Sequence, residues 1–191
     1  PSYNPKDIVH YVRNKLTEDD KNTIELLPYY KDFTGTITKI QEQCYLVKGV
    51  YTVVNDNKIH ITELPIGTWT ENYKLHLEKL ITNDKKGKKL VKDYCDMSTD
   101  TKVDITVTFY EDCLGNLMYK QIEHGCSQLE NILNLYTTKR TTNMHMFDEK
   151  QQLKKFNSPE EIIDYFIPIR LHYYEERKKH QLSKLEREVC L

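Results

Sequence analysis

The sequence predicts an α+β fold: a mostly antiparallel sheet with packed helices, followed by a long C-terminal helix that starts a coiled-coil arm. Three observations carry that expectation. Ile59 and Ile61 alternate with His60 and Thr62, and Val103, Ile105, Val107 and Phe109 alternate with Asp104, Thr106 and Thr108. A period of two marks strands with one buried face. Asn55-Asp56-Asn57, between two strand-like runs, is a short turn signal that favours an antiparallel hairpin. Ser158-Pro159-Glu160-Glu161 opens a helical pattern of about 30 residues, or roughly 45 Å at 1.5 Å per residue.

Taken in order, Asn4 and Pro5 read as N-cap and first helical residue, with Ile8, Val9, Val12 and Leu16 on one side of the helix. Residues 17–22 make a polar linker. Strands are expected over 33–40, over 45–54 around Gly49, and over 58–64. Leu64-Pro65 stops the third, because proline has no N–H to give a ladder. Thr68 or Thr70 caps the helix that follows, whose Tyr73, Leu77 and Leu80, with Leu75 nearby, form an apolar stripe. Trp69, the single tryptophan, has two readings: a buried residue pinning helix to sheet, which composition favours, or a contact aimed outward from a rigid base. A strand at 102–109, a helical turn within 129–135, and a hairpin from 143–148 and 152–156 complete the body.

In the C-terminal helix the Ser158 oxygen and the Glu161 carboxylate form a capping box. Pro168 removes one hydrogen bond and predicts a kink near Asp164 and Tyr165. Ile162, Phe166, Ile169 and Tyr173 form a stripe expected to pack on the sheet domain. Leu171, Tyr174, Leu182, Leu185 and Val189 form a narrower one that requires a partner helix.

Composition excludes several classes. Of 191 residues, 30% are charged and 38% hydrophobic, with six glycines and six prolines, so the chain is neither disordered nor fibrous. No apolar run approaches the roughly 18 residues needed to cross a bilayer, and no membrane partner is expected. The absence of an initial methionine and the ending at Val189-Cys190-Leu191 inside a helical pattern suggest a piece of a longer protein. The five cysteines, Cys44, Cys95, Cys113, Cys126 and Cys190, are scattered without a C-x-x-C pair, which fits a reducing compartment. Cys113, His124 and Cys126 match no zinc-ligand spacing, and Asp93, Asp96, Asp100 and Asp104 lack the glycine and glutamate of a calcium loop. No metal site is expected. No phosphate loop, G-x-S-x-G or H-E-x-x-H occurs, so a stand-alone hydrolase has no residues behind it.

Basic residues number 28 against 29 acidic, so any nucleic-acid contact must come from local clusters. Lys85, Lys86, Lys88, Lys89 and Lys92 crowd one stretch, Lys139-Arg140 form a pair, and Arg177-Lys178-Lys179 a third group. Such runs are most often solvated faces.

Ile61-Thr62-Glu63-Leu64-Pro65, with Thr68-Trp69-Thr70 and Tyr73-Lys74, resembles a signature of the eukaryotic-type, type IIA DNA topoisomerases. It falls in the tower of their breakage-reunion core. Leu27-Pro28-Tyr29-Tyr30-Lys31-Asp32-Phe33-Thr34-Gly35-Thr36-Ile37 is similar to the start of that region. Asn143-Met144, Phe147-Asp148 and Leu153-Lys154-Lys155-Phe156 resemble its end. Glu161-Ile162-Ile163 to Phe166, Arg170-Leu171, Tyr173-Tyr174 and Arg177-Lys178 resemble the helix running toward the dimerisation gate. The blocks keep family order, and the likeness is thinnest between residues 82 and 138.

The resemblance implies three parts: the end of a winged-helix platform over 1–30, the tower over 31–157, and the start of the coiled-coil arm over 158–191. It implies a non-catalytic piece of an enzyme that cleaves and rejoins both strands of duplex DNA, acting as a homodimer in the nucleus or at a viral replication site in host cytoplasm. The family's nucleophilic tyrosine follows an arginine, and no Arg-Tyr pair occurs here. That tyrosine, the Mg²⁺ site, the isoleucine that wedges into bent DNA and the ATPase domain are expected elsewhere in the parent, so no catalytic residue and no cofactor are assigned to this segment. Lys31, Lys39, Lys74, Lys139 and Arg140 are the candidate DNA contacts, with Thr68 and Trp69 positioning the loop. Two departures stand out: Ile66-Gly67 replaces a family arginine, and Lys139-Arg140 stand where relatives have apolar or small polar residues. Basic charge is therefore expected to have moved between these sites. The rival reading is a non-catalytic protein-interaction module with a helical arm, which near-neutral charge favours.

Overall fold

Asn4 caps the first helix as its sequence requires, its side-chain oxygen accepting from the Lys6 N–H at 3.0 Å, and α1 runs Pro5–Leu16. The computed structural model describes residues 2–17, 25–82 and 89–190; of the linker at 17–22 only Thr17 is among them, and Lys85, Lys86 and Lys88 lie outside them. The chain divides into two units, one made of Pro1–Tyr29 with Thr141–Leu191, the other of Tyr30–Arg140.

In the first unit the expected stripe on α1 is only partly right. Val9 and Leu16 are exposed, and the buried anchor is Tyr11. Its hydroxyl donates to Asp164 Oδ1 at 2.9 Å, and Lys15 Nζ stands 3.2 Å from the same carboxylate. A polar tip on an apolar ring lets Tyr11 fill the position without leaving a polar group unpaired. Asp164 belongs to α5, Pro159–Val189, the long C-terminal helix, which continues through Pro168. Ser158 caps it, accepting from Glu161 N–H at 3.1 Å, but the Glu161 carboxylate takes the Asn157 N–H at 2.7 Å instead of closing a box on Ser158. The final hairpin is present as β8, His145–Phe147, paired antiparallel with β9, Leu153–Lys155. Beside it Ile162, Tyr165, Phe166 and Ile169 line a cleft of about 240 Å³, so the first stripe of α5 faces this hairpin, with Phe166 and Tyr173 still exposed.

The second unit holds two sheets. Strands β1 (Thr36–Gln41), β2 (Cys44–Lys48) and β7 (Tyr136–Arg140) form one, in the order β1-β2-β7. Strands β3 (Val50–Asn55), β4 (Lys58–Glu63), β5 (Val91–Asp96) and β6 (Ile105–Phe109) form the other, in the order β3-β4-β6-β5. Every pairing is antiparallel. The expected hairpin at Asn55-Asp56-Asn57 joins β3 to β4. Strands β5 and β7, and helix α3 over Cys113–Tyr119, were not anticipated from the sequence. Gly49 turns the chain from one sheet into the other; a Cβ there would lie 2.3 Å from the Glu63 carbonyl oxygen.

Helix α2, Thr70–Thr82, covers the larger sheet. Tyr73 and Leu77 join Ile59, Ile61, Ile105, Val107 and Phe109 in one buried cluster, with Leu80 packed at its margin. Leu129, Leu133 and Leu135, around the short helix α4 at Gln128–Ile132, close it. Burying each such side chain is worth about 1.5–3 kcal/mol, so this cluster holds the unit together.

Candidate nucleic-acid interface

The stretch between β4 and α2 is a rigid junction. Leu64 and Pro65 are buried, and the Thr68 N–H donates to the Pro65 carbonyl at 3.0 Å. Gly67, third residue of that turn, has φ +92°. This is the pattern of a type II turn, whose third position takes φ near about +80° and therefore wants glycine or asparagine. The chain enters α2 directly after it. Trp69, not Thr68 or Thr70, holds the capping position, its carbonyl accepting the Tyr73 N–H at 2.9 Å.

Trp69 itself is 76% exposed, which overturns the buried reading. The turn projects its ring outward, while Tyr73, in the expected apolar stripe of α2, is buried. Of the two readings, the outward one describes this side chain.

The five candidate basic residues differ in their surroundings. Lys39 and Lys139 are both register partners of Tyr45, one across β1–β2 and the other across β2–β7. Directly opposed residues point to the same side of a sheet, so Lys39, Tyr45 and Lys139 form one row, with the lysine Cα atoms about 10 Å apart at two strand spacings. Arg140, one residue on, faces the other side, is exposed, and is the register partner of Cys44. Lys31 is exposed in the turn before β1, off this row.

Lys139 reaches the junction. A Cβ built on Gly67 would lie 3.0 Å from its Nζ and 4.0 Å from its Cε. Among the described residues no carboxylate pairs with Lys31, Lys139 or Arg140.

Lys74 stands apart. Its ammonium is 2.7 Å from Glu71 Oε1 and 3.3 Å from Asp96 Oδ2. The hydrogen bonds to Glu71 and then to Asp96 raise its pKa above the usual lysine value. Its charge is already compensated within the unit, where it ties α2 to β5.

The acidic residues of the 93–104 stretch are likewise employed internally. Asp96 accepts from Ser98 N–H at 2.9 Å, and Asp104 lies 2.9 Å from His60 Nε2. Hydrogen bonds from Ser98, followed by Lys74, hold the Asp96 carboxyl below the ordinary range. All five cysteines are free thiols, with Cys126 buried. Among the described residues no group of three or more His, Cys, Asp or Glu side chains converges to hold a metal ion. No helix there is long and apolar enough to cross a membrane.

Comparison with known proteins adds a family to this geometry. Residues 1–191 match the family model for the A-type subunit of DNA gyrase/topoisomerase IV. DNA topoisomerase 2 of Penicillium chrysogenum is 35% identical over 189 residues, covering 99% of this chain and 11% of that protein. DNA topoisomerase 2-beta of Homo sapiens is 34% identical over 186 residues, covering 97% of this chain and 11% of that one. The crystal structure of the Plasmodium falciparum topoisomerase II DNA-binding, cleavage and re-ligation domain superposes with a TM-score of 0.83 at 34% identity, over 98% of this chain and 24% of that chain. The chain thus spans little more than a tenth of the curated relatives it matches.

Proposed function

From the premise that this chain belongs to the type IIA DNA topoisomerases, of the eukaryotic topoisomerase II kind, we propose that it is a non-catalytic part of the surface on which such an enzyme supports the duplex it cleaves. The tower reading, with Pro1–Tyr30 ending a winged-helix platform and α5 beginning a coiled coil, is our assignment. The observation that carries it is the Lys39–Tyr45–Lys139 row, whose second lysine meets Gly67 two residues before an exposed tryptophan.

The physics suits that task. Bending a duplex by tens of degrees costs about 1–6 kcal/mol, which phosphate contacts away from the break must offset. Lysine and arginine on a stiff sheet contact backbone without reading sequence. With a formal net charge of −1, the chain has no broad basic field, so a few well-placed cations must carry the contact. Lys39 and Lys139, on one side of the sheet, are the proposed contacts of this row, with Lys31 and Arg140 outside it; Lys74 is assigned to internal ion pairs.

Cleavage itself, with ATP and Mg²⁺, is assigned to other parts of the parent protein, where the Arg-Tyr pair that the resemblance calls for is expected; this sequence contains no such pair. The exposed Leu171, Tyr174, Leu182 and Leu185 of α5 favour a partner helix, and the parent is proposed to work as a homodimer. Its place is the nucleus, or a viral replication site if the source is a large DNA virus.

Duplex titration at several salt concentrations tests the reading, because log affinity falls with log salt in proportion to the phosphates neutralised. The expected result is a negative slope that becomes shallower when Lys139 and Arg140 are both replaced by alanine. The single tryptophan supplies a local signal, since its exposed ring should change fluorescence on binding. A chain that ignores duplex DNA at low salt would overturn the proposal.

A further inference from the structure

Three observations meet at residue 67. The turn needs a positive φ there, which either glycine or asparagine supplies. Among the described residues, and apart from the two chain neighbours, a Cβ at this position would have only Lys139 Nζ and Cε within 4 Å. Lys139, in turn, makes no ion pair among the described residues, although its stem is partly buried beside Tyr45. A side chain at this φ of +92° is strained in itself, and its Cβ would also press on the flexible end of Lys139, which would have to give by a few tenths of an ångström.

We infer that Gly67 is the positioning residue for Lys139: the missing side chain lets the lysine lie across the turn and present its ammonium, at the strand–helix junction, as a contact for a single backbone phosphate. This inference rests on the DNA-supporting function proposed above and names one site within it. Immobilising a long flexible side chain on binding costs conformational freedom, so a lysine already restricted can hold a phosphate at lower cost. Lying across the bare backbone of Gly67 restricts it. Among the described residues no carboxylate neutralises this charge, in contrast to Lys74 beside Glu71 and Asp96.

The test is a double-mutant cycle on the full chain, with Gly67→Asn and Lys139→Met, read by duplex titration across salt concentrations. Asparagine is the residue besides glycine that this turn position admits, at the cost of some strain at φ +92°, and its side chain occupies the space where the ammonium lies. Methionine keeps much of the lysine stem and removes the charge. Each single variant is expected to make the log–log salt slope shallower by about one, with affinity reduced roughly five- to tenfold at about 0.1 M salt. The double variant should bind no more weakly than either single one, because Gly67 acts only through Lys139. Circular dichroism and melting temperature establish that each variant is folded.

Additive losses in the double variant, or a wild-type slope in folded Gly67→Asn, would overturn the inference while leaving the wider function standing. Wild-type chain with no salt-dependent duplex binding would overturn both. If Gly67→Asn does not fold, Lys139→Met and Lys139→Arg decide the matter. Arginine is expected to restore slope and affinity if the ammonium contacts phosphate, and failure to restore them would end the proposal.

Discussion

Lys74 and Lys139 illustrate how little a basic residue's identity says about its use. Both were legible in the sequence as candidate phosphate contacts. Their neighbours were not, because Asp96 lies 22 positions from Lys74 and reaches it only once β5 pairs with β6 and α2 lies beside it. Lys74→Ala is expected to leave the salt slope of duplex binding unchanged, in contrast to Lys139→Ala, and equal slopes for the two variants would refute the distinction. The same pair predicts a pH response. The folded pKa of Asp96 is depressed by its Ser98 hydrogen bonds and by Lys74. Its stabilisation is therefore complete above the unfolded value of about 3.9 and is lost as pH falls through the folded value. Melting temperature should fall less steeply below about pH 4 in Asp96→Asn than in wild type. Parallel acid limbs would show that Asp96 contributes nothing. Trp69 makes the residue-scale lesson concrete: composition favours burial, but a type II turn immediately before it turns the ring to solvent.

At the scale of elements, legibility followed alternation. β4 and β6 carry a clean period of two that is visible in the sequence, as is the hairpin turn between β3 and β4, although β6 begins at Ile105 and not at Lys102. β5 was hidden because Val91 is its single fully buried side chain, and a register shift between Val91 and Asp93 breaks the alternation. β7, Tyr-Thr-Thr-Lys-Arg, reads as a polar loop; what makes it a strand is pairing along the whole of β2, a contact 90 or so positions away in the chain. Both are cases of tertiary pairing overriding a weak local pattern. Helix α3 escaped for the related reason that Asp112 enters it in the left-handed region at φ +61°, without a side-chain cap to announce it. The connection between β2 and β3 yields a prediction at this scale. The Cβ of Gly49→Ala would meet the Glu63 carbonyl, which is backbone and held in the β3–β4 ladder, so it cannot swing aside. Overpacking of this kind costs about 1–3 kcal/mol. Urea unfolding should show a lower midpoint with an unchanged slope. An unaltered midpoint would mean that the sheet joint yields freely.

For the whole molecule, the division into units has a consequence that can be measured. Tyr30–Arg140 is one continuous segment with its own buried cluster, whereas the other unit is assembled from two segments far apart in the chain. The second arrangement depends on side-chain ties such as Tyr11 to Asp164 and the Leu26 N–H to Glu160 Oε1 at 2.8 Å. Among the described residues the buried cluster lies in the central unit alone, and different parts of a chain need not unfold together. Calorimetry of the full chain is therefore expected to resolve two transitions. Leu77→Ala removes a fully buried side chain and should destabilise the central unit by about 2–5 kcal/mol. Tyr11→Phe forfeits one hydrogen bond, leaving Asp164 its contact with Lys15, and should cost the terminal unit about 1 kcal/mol. Each substitution is expected to move one transition and leave the other in place. A single transition displaced by both would show the units to be one cooperative body, and the assignment of each substitution to its own unit would fall.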